Sequence, residues 1–336
     1  MPLRERLNAQ LLAGEPARDP RTVVERLLAV QGQDPRGFRL AIRARTRGLH
    51  VSALERELTE TRSLVVTTLN RGTLHLVRSE DYPWLRALIA PSLMTTSDTR
   101  LGQEGVTPAK LRQALAVLKR RLADGPATRA ELAELFAARR IPTKGAALIH
   151  IFFRAGLEGV AVRGPMIGKQ HAFVLVRDWL GKQPKVDRER ALGELARRYL
   201  AGHGPATDRD LAYWTGLPLR ETRAALKQVE LVERPNGLVD LPGKPEPAEL
   251  PPPRLLGQFD PVLHGWKDRS DIVPPEHARQ VLDGGMFWPS ALVRGRTVAR
   301  WKLERDGLVL NPFGRLTAKD RLALERDAQD VVRYLS

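Results

Sequence analysis

Two copies of one tetrapeptide, Gly-Pro-Ala-Thr, constrain this chain more than any other feature. They begin at Gly125 and Gly204, 79 residues apart, inside "RLADGPATRAELAELFAARRIP" and "RYLAGHGPATDRDLAYWTGLP". Each copy runs an apolar-periodic helix into a Gly-Pro break, then a threonine, then a second apolar helix with an acidic residue near its start. Proline cannot continue the helix before it. Thr128 and Thr207 are expected as N-caps, because a hydroxyl oxygen accepts from the unpaired N–H groups of a first turn. Helix, break, helix and a turn such as "WTGLP" form the skeleton of a helix-turn-helix. After the second copy, "LVERPNGLVDLP" reads as two short strands around an Asn-Gly turn, the wing of a winged helix.

Helical periodicity continues elsewhere. "RTVVERLLAVQ" places Val23, Val24, Leu27, Leu28 and Gln31 on one stripe, and "AKLRQALAVLKRRLA" does the same from Ala109 to Ala123. In "RERALGELARRYLAG", Gly202 is expected to stop the helix. A weaker third copy opens the chain, "LNAQLLAGEPARDPRTVVERLLAVQGQDP", with Gln31 and Gln33 where the second helix hands over to the third. The proline-rich "KPEPAELPPPRLLG" reads as a linker or an edge crossing. Beyond it, "ALVRGRTVARWKLERDGLVLNPF" has the short apolar runs and tight turns of β-hairpins, and "TAKDRLALERDAQDVVRYL" returns to a helix. The fold expected is α+β and mainly helical. Its segments are a first winged helix over 1–105, a second over 106–185, a third over 186–250, and a β-rich region with a final helix over 251–336.

Charge bears on the partner. The chain has 336 residues, a net charge of +16 and a pI near 10.7, and 44 of its 55 basic residues are arginine. Such an excess favours a polyanion, most simply nucleic acid. Cysteine is absent, which excludes disulfides, thiolate metal sites and thiol nucleophiles, and the seven histidines show no metal-ligand spacing. No metal and no cofactor is expected. No stretch approaches the ~20 apolar residues of a membrane span, and no cleavable leader is visible, so a cytoplasmic protein with no membrane partner is expected. No phosphate-binding loop, nucleophile elbow or dinucleotide fingerprint is present.

Four segments together carry a family resemblance: "VQGQDPRGFRLAIRAR", "RGTLHLVRSEDYPWL", "FDPVLHGWKDRS" and "GGMFWPSALVRGRTVARWK". In this order the chain resembles the winged-helix DNA glycosylases of the AlkZ/YcaQ type. The resemblance implies tandem winged helices and a β-rich C-terminal part curved around a basic channel, a monomer acting on double-stranded DNA with alkylated purines, and a role in alkylation repair, crosslink removal or antibiotic self-resistance. It also implies an active site of two polar residues flanking an aliphatic one, here Gln31 and Gln33, with Gly32 departing from the pattern at the centre.

Two amides suit a narrow chemistry. Glycosidic hydrolysis ordinarily needs a proton for the leaving group and an activated water. A purine alkylated at ring nitrogen 7 is already cationic and leaves as a neutral base. What remains is to hold a water and tolerate charge on the sugar, and each Gln supplies one carbonyl acceptor and two N–H donors. Gln31 and Gln33 could otherwise cap the last carbonyls of a helix. Asp34 is an alternative acid–base group, though before Pro35 it fits a turn. The alternative function is a non-catalytic winged-helix regulator or architectural protein. Three winged-helix copies in one chain and a buried amide pair favour the enzyme.

Candidate DNA contacts lie further on. Alternation in "TTLNRGTLHLVRSED" puts Arg71, Thr73 and His75 on one strand face, facing either a lesion or solvent. In "FDPVLHGWKDRSD", Lys267 is a candidate phosphate contact and Arg269 a DNA-facing residue or half of a salt-bridged corner with Asp268, while His264 beside Asp260 is a weaker candidate base. Arg294 and Arg296 sit at a hairpin tip followed by Arg300 and Lys302, a basic ribbon of the kind that enters a groove.

Overall fold

The computed structural model describes residues 2–336. The chain divides into two compact units, one made of the residues up to Glu55 with Leu192–Ser336, the other of Arg56–Ala191.

The first unit opens with α1 (Leu3–Ala9), α2 (Pro20–Leu27), a two-residue strand β1 (Val30–Gln31) and α3 (Pro35–Arg43), and α4 (Val51–Thr59) begins before the boundary. The stripe through α2 ends earlier than its periodicity predicts. Leu28 leaves the helix in a left-handed conformation (φ 64°), and Gln31 lies outside it. Two causes combine. The Leu28 side chain is fully buried, so its apolar character is satisfied without another helical turn. Further on, Pro35 disfavours helical dihedrals at Asp34, which is extended and caps α3.

The second unit contains β2 (Leu64–Thr68), β3 (Leu74–Arg78), α5 (Tyr82–Gln103), α6 (Pro108–Ala123), α7 (Arg129–Ala137), α8 (Ala147–Leu157), β4 (Ala161–Ile167), β5 (Gln170–Leu175) and the single turn α9 (Val176–Trp179). Its strands run β3-β2-β4-β5, all antiparallel, and Leu118, Leu132, Phe136, Ile151, Phe152 and Phe173 fill the core between helices and sheet.

The chain returns to the first unit along α10 (Arg188–His203), followed by α11 (Asp208–Thr215), α12 (Leu219–Leu226) and the hairpin β6 (Val232–Arg234) and β7 (Leu238–Asp240), whose connection carries Asn236 and Gly237 with positive φ. After the linker come β8 (Arg254–Leu256), α13 (Ala278–Val281), β9 (Leu282–Asp283), β10 (Met286–Phe287), β11 (Ser290–Val293), β12 (Arg296–Glu304), β13 (Gly307–Pro312) and α14 (Ala318–Leu335). A four-stranded antiparallel sheet, β13-β12-β11-β8, packs under α14 and α3 through Leu40, Leu255, Ala291, Trp301, Leu324 and Val331.

Both repeated threonines cap helices. Thr128 accepts from the Glu131 N–H (3.2 Å) while Glu131 accepts from the Thr128 N–H (2.6 Å), and Thr207 makes the same reciprocal box with Asp210. Gly202 does not stop its helix. It stays inside α10, where any side chain would collide with the Arg26 carbonyl of α2. The missing Cβ serves a close backbone approach, and the helix ends one residue later.

Candidate functional site

Gln31 ends β1 with only 5% of its surface exposed, whereas Gln33 is exposed. The expectation of two buried amides therefore holds for one of them. Their side chains meet directly: Gln31 Nε2 donates to Gln33 Oε1 at 2.7 Å. A carbonyl oxygen has two lone pairs, so Gln33 Oε1 retains acceptor capacity for a second donor. Asp34 is committed elsewhere, since its carboxylate accepts from the Gly37 N–H at 2.7 Å as the cap of α3.

What holds the motif is α3, which starts two residues after Gln33. Gly37, in its first turn, faces the Gln258 carbonyl so closely that a Cβ would collide with it, and Gly257 lies against Gly37 in turn. Phe38 and Leu40 are buried. Arg39 donates to the Pro35 carbonyl (2.7 Å) and pairs with Glu55 (2.7 Å). Arg43 pairs with Asp327 of α14 (2.7 Å), and burial pushes its pKa down while Asp327 opposes that shift. Just past the helix, Arg45 forms a bidentate pair with Asp260 at 2.7 and 2.9 Å, with neither side chain exposed. Sequence reasoning missed Arg45 as the partner of Asp260. Their separation of 215 residues leaves no local signal.

The remaining candidates fall into separate places. Arg71, Thr73 and His75 belong to the Arg56–Ala191 unit and do not alternate along a strand. Arg71 is in the turn between β2 and β3 at φ 54°, beside Gly72 at φ 76°, because reversing the chain there takes left-handed residues. The Thr73 hydroxyl donates to the Asn70 carbonyl (3.1 Å), and only His75 lies on β3, buried, with Nδ1 3.1 Å from the Thr73 carbonyl oxygen.

In the first unit, Lys267 is exposed, and its backbone N–H donates to Asp210 (2.9 Å). Arg269 hydrogen-bonds the Tyr213 hydroxyl (2.9 Å) and lies over the Tyr213 and Phe287 rings, while Asp268 accepts from the Ser270 N–H (2.9 Å), so the Asp268–Arg269 corner does not form. Asp260 serves Arg45 rather than His264, whose Nε2 is 2.9 Å from the Phe259 carbonyl oxygen.

The β11–β12 tip turns through Arg294 and Gly295, both left-handed, and Gly295 is pressed against Leu7 of α1. That packing seats the tip on the unit's own surface. Arg294 pairs with Asp320 (3.3 Å) although 72% of its side chain is exposed, Lys302 pairs with Glu304, and Arg300 lies over Trp288 and donates to the Gln280 carbonyl. Arg296 is exposed and without a partner among the described residues. No described helix is long and apolar enough to cross a membrane.

Comparison with known proteins sets this geometry in context. A family model described as DNA glycosylase AlkZ-like matches residues 24–334. An interstrand DNA cross-link repair glycosylase of Streptomyces sahachiroi is 30% identical over 361 aligned positions, covering 98% of this chain and 94% of the relative. The solved structure of Streptomyces sahachiroi DNA glycosylase AlkZ shares the fold, with a TM-score of 0.80 at 24% identity over 99% of this chain and 95% of that one.

Proposed function

The chain belongs to the AlkZ-like DNA glycosylase family, and on that premise we propose that it hydrolyses the N-glycosidic bond of cationic alkylpurines in duplex DNA, N7-alkylguanine above all, including bulky and cross-linking adducts. The Gln31–Gln33 hydrogen bond carries this reading. It fixes one amide by another, so the pair is pre-aligned before substrate arrives. The second lone pair of Gln33 Oε1 accepts a hydrogen of the attacking water and leaves the water's own lone pair for the anomeric carbon. The carbonyl dipoles favour the oxocarbenium-like charge of the transition state. The adduct's positive charge makes a general acid unnecessary, and Asp34, held by its helix, supplies none.

In the same reading, each run of helices followed by a hairpin within one unit is a winged helix: α6, α7 and α8 with β4–β5; α10, α11 and α12 with β6–β7. Lys267 and Arg296, exposed and unpaired, are the phosphate contacts best supported among the candidates of the first unit. Single-turnover release of free base from a duplex with one N7-methylguanine tests the proposal. Wild type should release it, and Gln31→Ala and Gln33→Ala should each slow release by about 100- to 1000-fold, as loss of an oxyanion-type contact does. Duplex affinity should stay near that of wild type. Undiminished rates in both variants would remove the catalytic assignment, and absence of release by wild type would favour a non-catalytic DNA-binding protein.

A further inference from the structure

Arg163 is a half-buried cation with no anion among the described residues. It lies in β4, between β2 and β5, paired in register with Phe173. Its guanidinium is 4.0 Å from the centre of the Phe173 ring. Phe173 is itself stacked on Phe152 at 4.1 Å within the apolar core, so the platform under Arg163 is fixed. Ala127 exchanges both backbone hydrogen bonds with Phe173, at 3.1 and 2.8 Å. That bridge sets the start of α7, which carries the exposed Arg129, beside Phe173, the strand partner of Arg163.

Neither guanidinium has a hydrogen bond or ion pair among the described residues. The acid in that first turn, Glu131, is taken by the Thr128 N–H and hydroxyl and by Arg121. Burial first, and the charge of Arg129 second, bring the pKa of Arg163 down to about 10, which still leaves it charged at neutral pH. A cation withdrawn from water beside a second cation is unfavourable by itself. Stacking occupies the face of the guanidinium and leaves the N–H groups at its edge, where two arginine forks match the oxygens of a phosphate.

We propose that Arg163 and Arg129 form a binding site for one phosphate group, supplied by a phosphodiester of the DNA backbone. The choice of DNA as the source rests on the glycosylase reading, whereas the phosphate chemistry does not. The site lies in the Arg56–Ala191 unit, apart from every candidate named above in sequence terms. It is pre-organised by Phe173 rather than by a carboxylate, which would compete with phosphate.

The test uses full-length protein and undamaged duplex, so it reads binding whether or not any base is released. Affinity is measured over a sodium chloride series for wild type, Arg129→Gln and Arg129→Gln/Arg163→Gln. The double variant should reduce the slope of log affinity against log salt by about one, the signature of one lost phosphate contact. Arg129 is exposed, so its single variant keeps the core intact and should weaken the slope in the same direction. At equal ionic strength, replacing chloride by inorganic phosphate should raise the melting temperature of wild type more than that of the double variant, which keeps only the general effect of an excluded salt. In chloride, Arg163→Gln should melt no lower than wild type, since it removes an uncompensated charge. An unchanged slope together with a lower melting temperature in chloride would overturn the proposal and make Arg163 a packing residue for Phe173. A phosphate-dependent melting shift larger in wild type than in the double variant, with an unchanged DNA slope, would overturn the DNA assignment in favour of free phosphate.

Discussion

Asp260→Asn exchanges one oxygen for an NH2 group at an ion pair with no exposed side-chain surface on either partner. All five N–H donors of Arg45 are used: Nε to the Gln10 carbonyl (2.8 Å), Nη1 to the Ala41 carbonyl and Asp260 Oδ2 (both 2.9 Å), and Nη2 to Gln10 Oε1 (3.2 Å) and Asp260 Oδ1 (2.7 Å). Asparagine would set a donor against a donor, and the guanidinium cannot escape by losing its proton. Breaking one side of a buried pair costs about 3–5 kcal/mol. At roughly 2–4 °C per kcal/mol for a unit of this size, the melting temperature should fall by roughly 6–20 °C. Replacing both partners, Arg45→Met with Asp260→Leu, removes the stranded charge. That double variant should lie between the single variant and wild type, still short of wild type because Asp260 also accepts from the Val262 N–H (3.0 Å) as a cap worth ~1 kcal/mol. Thermal unfolding followed by circular dichroism reads all five proteins, with Arg45→Met and Asp260→Leu completing the cycle. Additive losses across the cycle, or an Asp260→Asn loss below ~1 kcal/mol, would refute the reasoning, because both mean that the pair is not coupled.

Gly37→Ala should destabilise by ~1–3 kcal/mol and slow base release, since the added methyl meets the Gln258 carbonyl and moves the first turn of α3, four residues after Gln33. Urea denaturation and single-turnover kinetics check both effects. His203 is fully buried, and burial, opposed by its hydrogen bond to Tyr199, brings its pKa down to about 3 from 6.5. The unfolded chain thus binds a proton that the folded chain refuses, and stability should fall by up to ~1.4 kcal/mol per pH unit as pH drops below 6.5 toward 3. His203→Asn keeps a donor for the Tyr199 carbonyl and should flatten the dependence of the urea midpoint between pH 7 and pH 5; an equally steep variant would assign the slope to other groups. Across duplexes each bearing one lesion, N7-alkylguanine and N3-alkyladenine should be released, and uracil, hypoxanthine and 8-oxoguanine should not. Efficient uracil release would show that a general acid is at work.

The local grammar of the chain was legible because it depends on neighbours in sequence. Thr128 and Thr207 each find their capping partner three residues on, and Asn236-Gly237 turns a hairpin, whatever the rest of the molecule does. Periodicity was less sufficient. It reports which side chains are buried, so it ran α2 on through Leu28, whose burial is real but whose backbone has already left the helix. The motif Gln31-Gly32-Gln33 could be found by resemblance, but its asymmetry, one amide inside and one outside joined by a hydrogen bond, belongs to the path of the folded chain.

Charge was legible only as a sum. Sequence supplies the number of arginines; tertiary packing assigns Arg45 to Asp260, Arg43 to Asp327, Arg269 to Tyr213 and Arg294 to Asp320, and leaves Arg163 on Phe173 without an anion. The physical reason is range. Caps and turns are settled by atoms a few bonds apart, whereas an ion pair or a close glycine contact forms between residues tens to hundreds of positions apart, and only the packed backbone decides which of them meet.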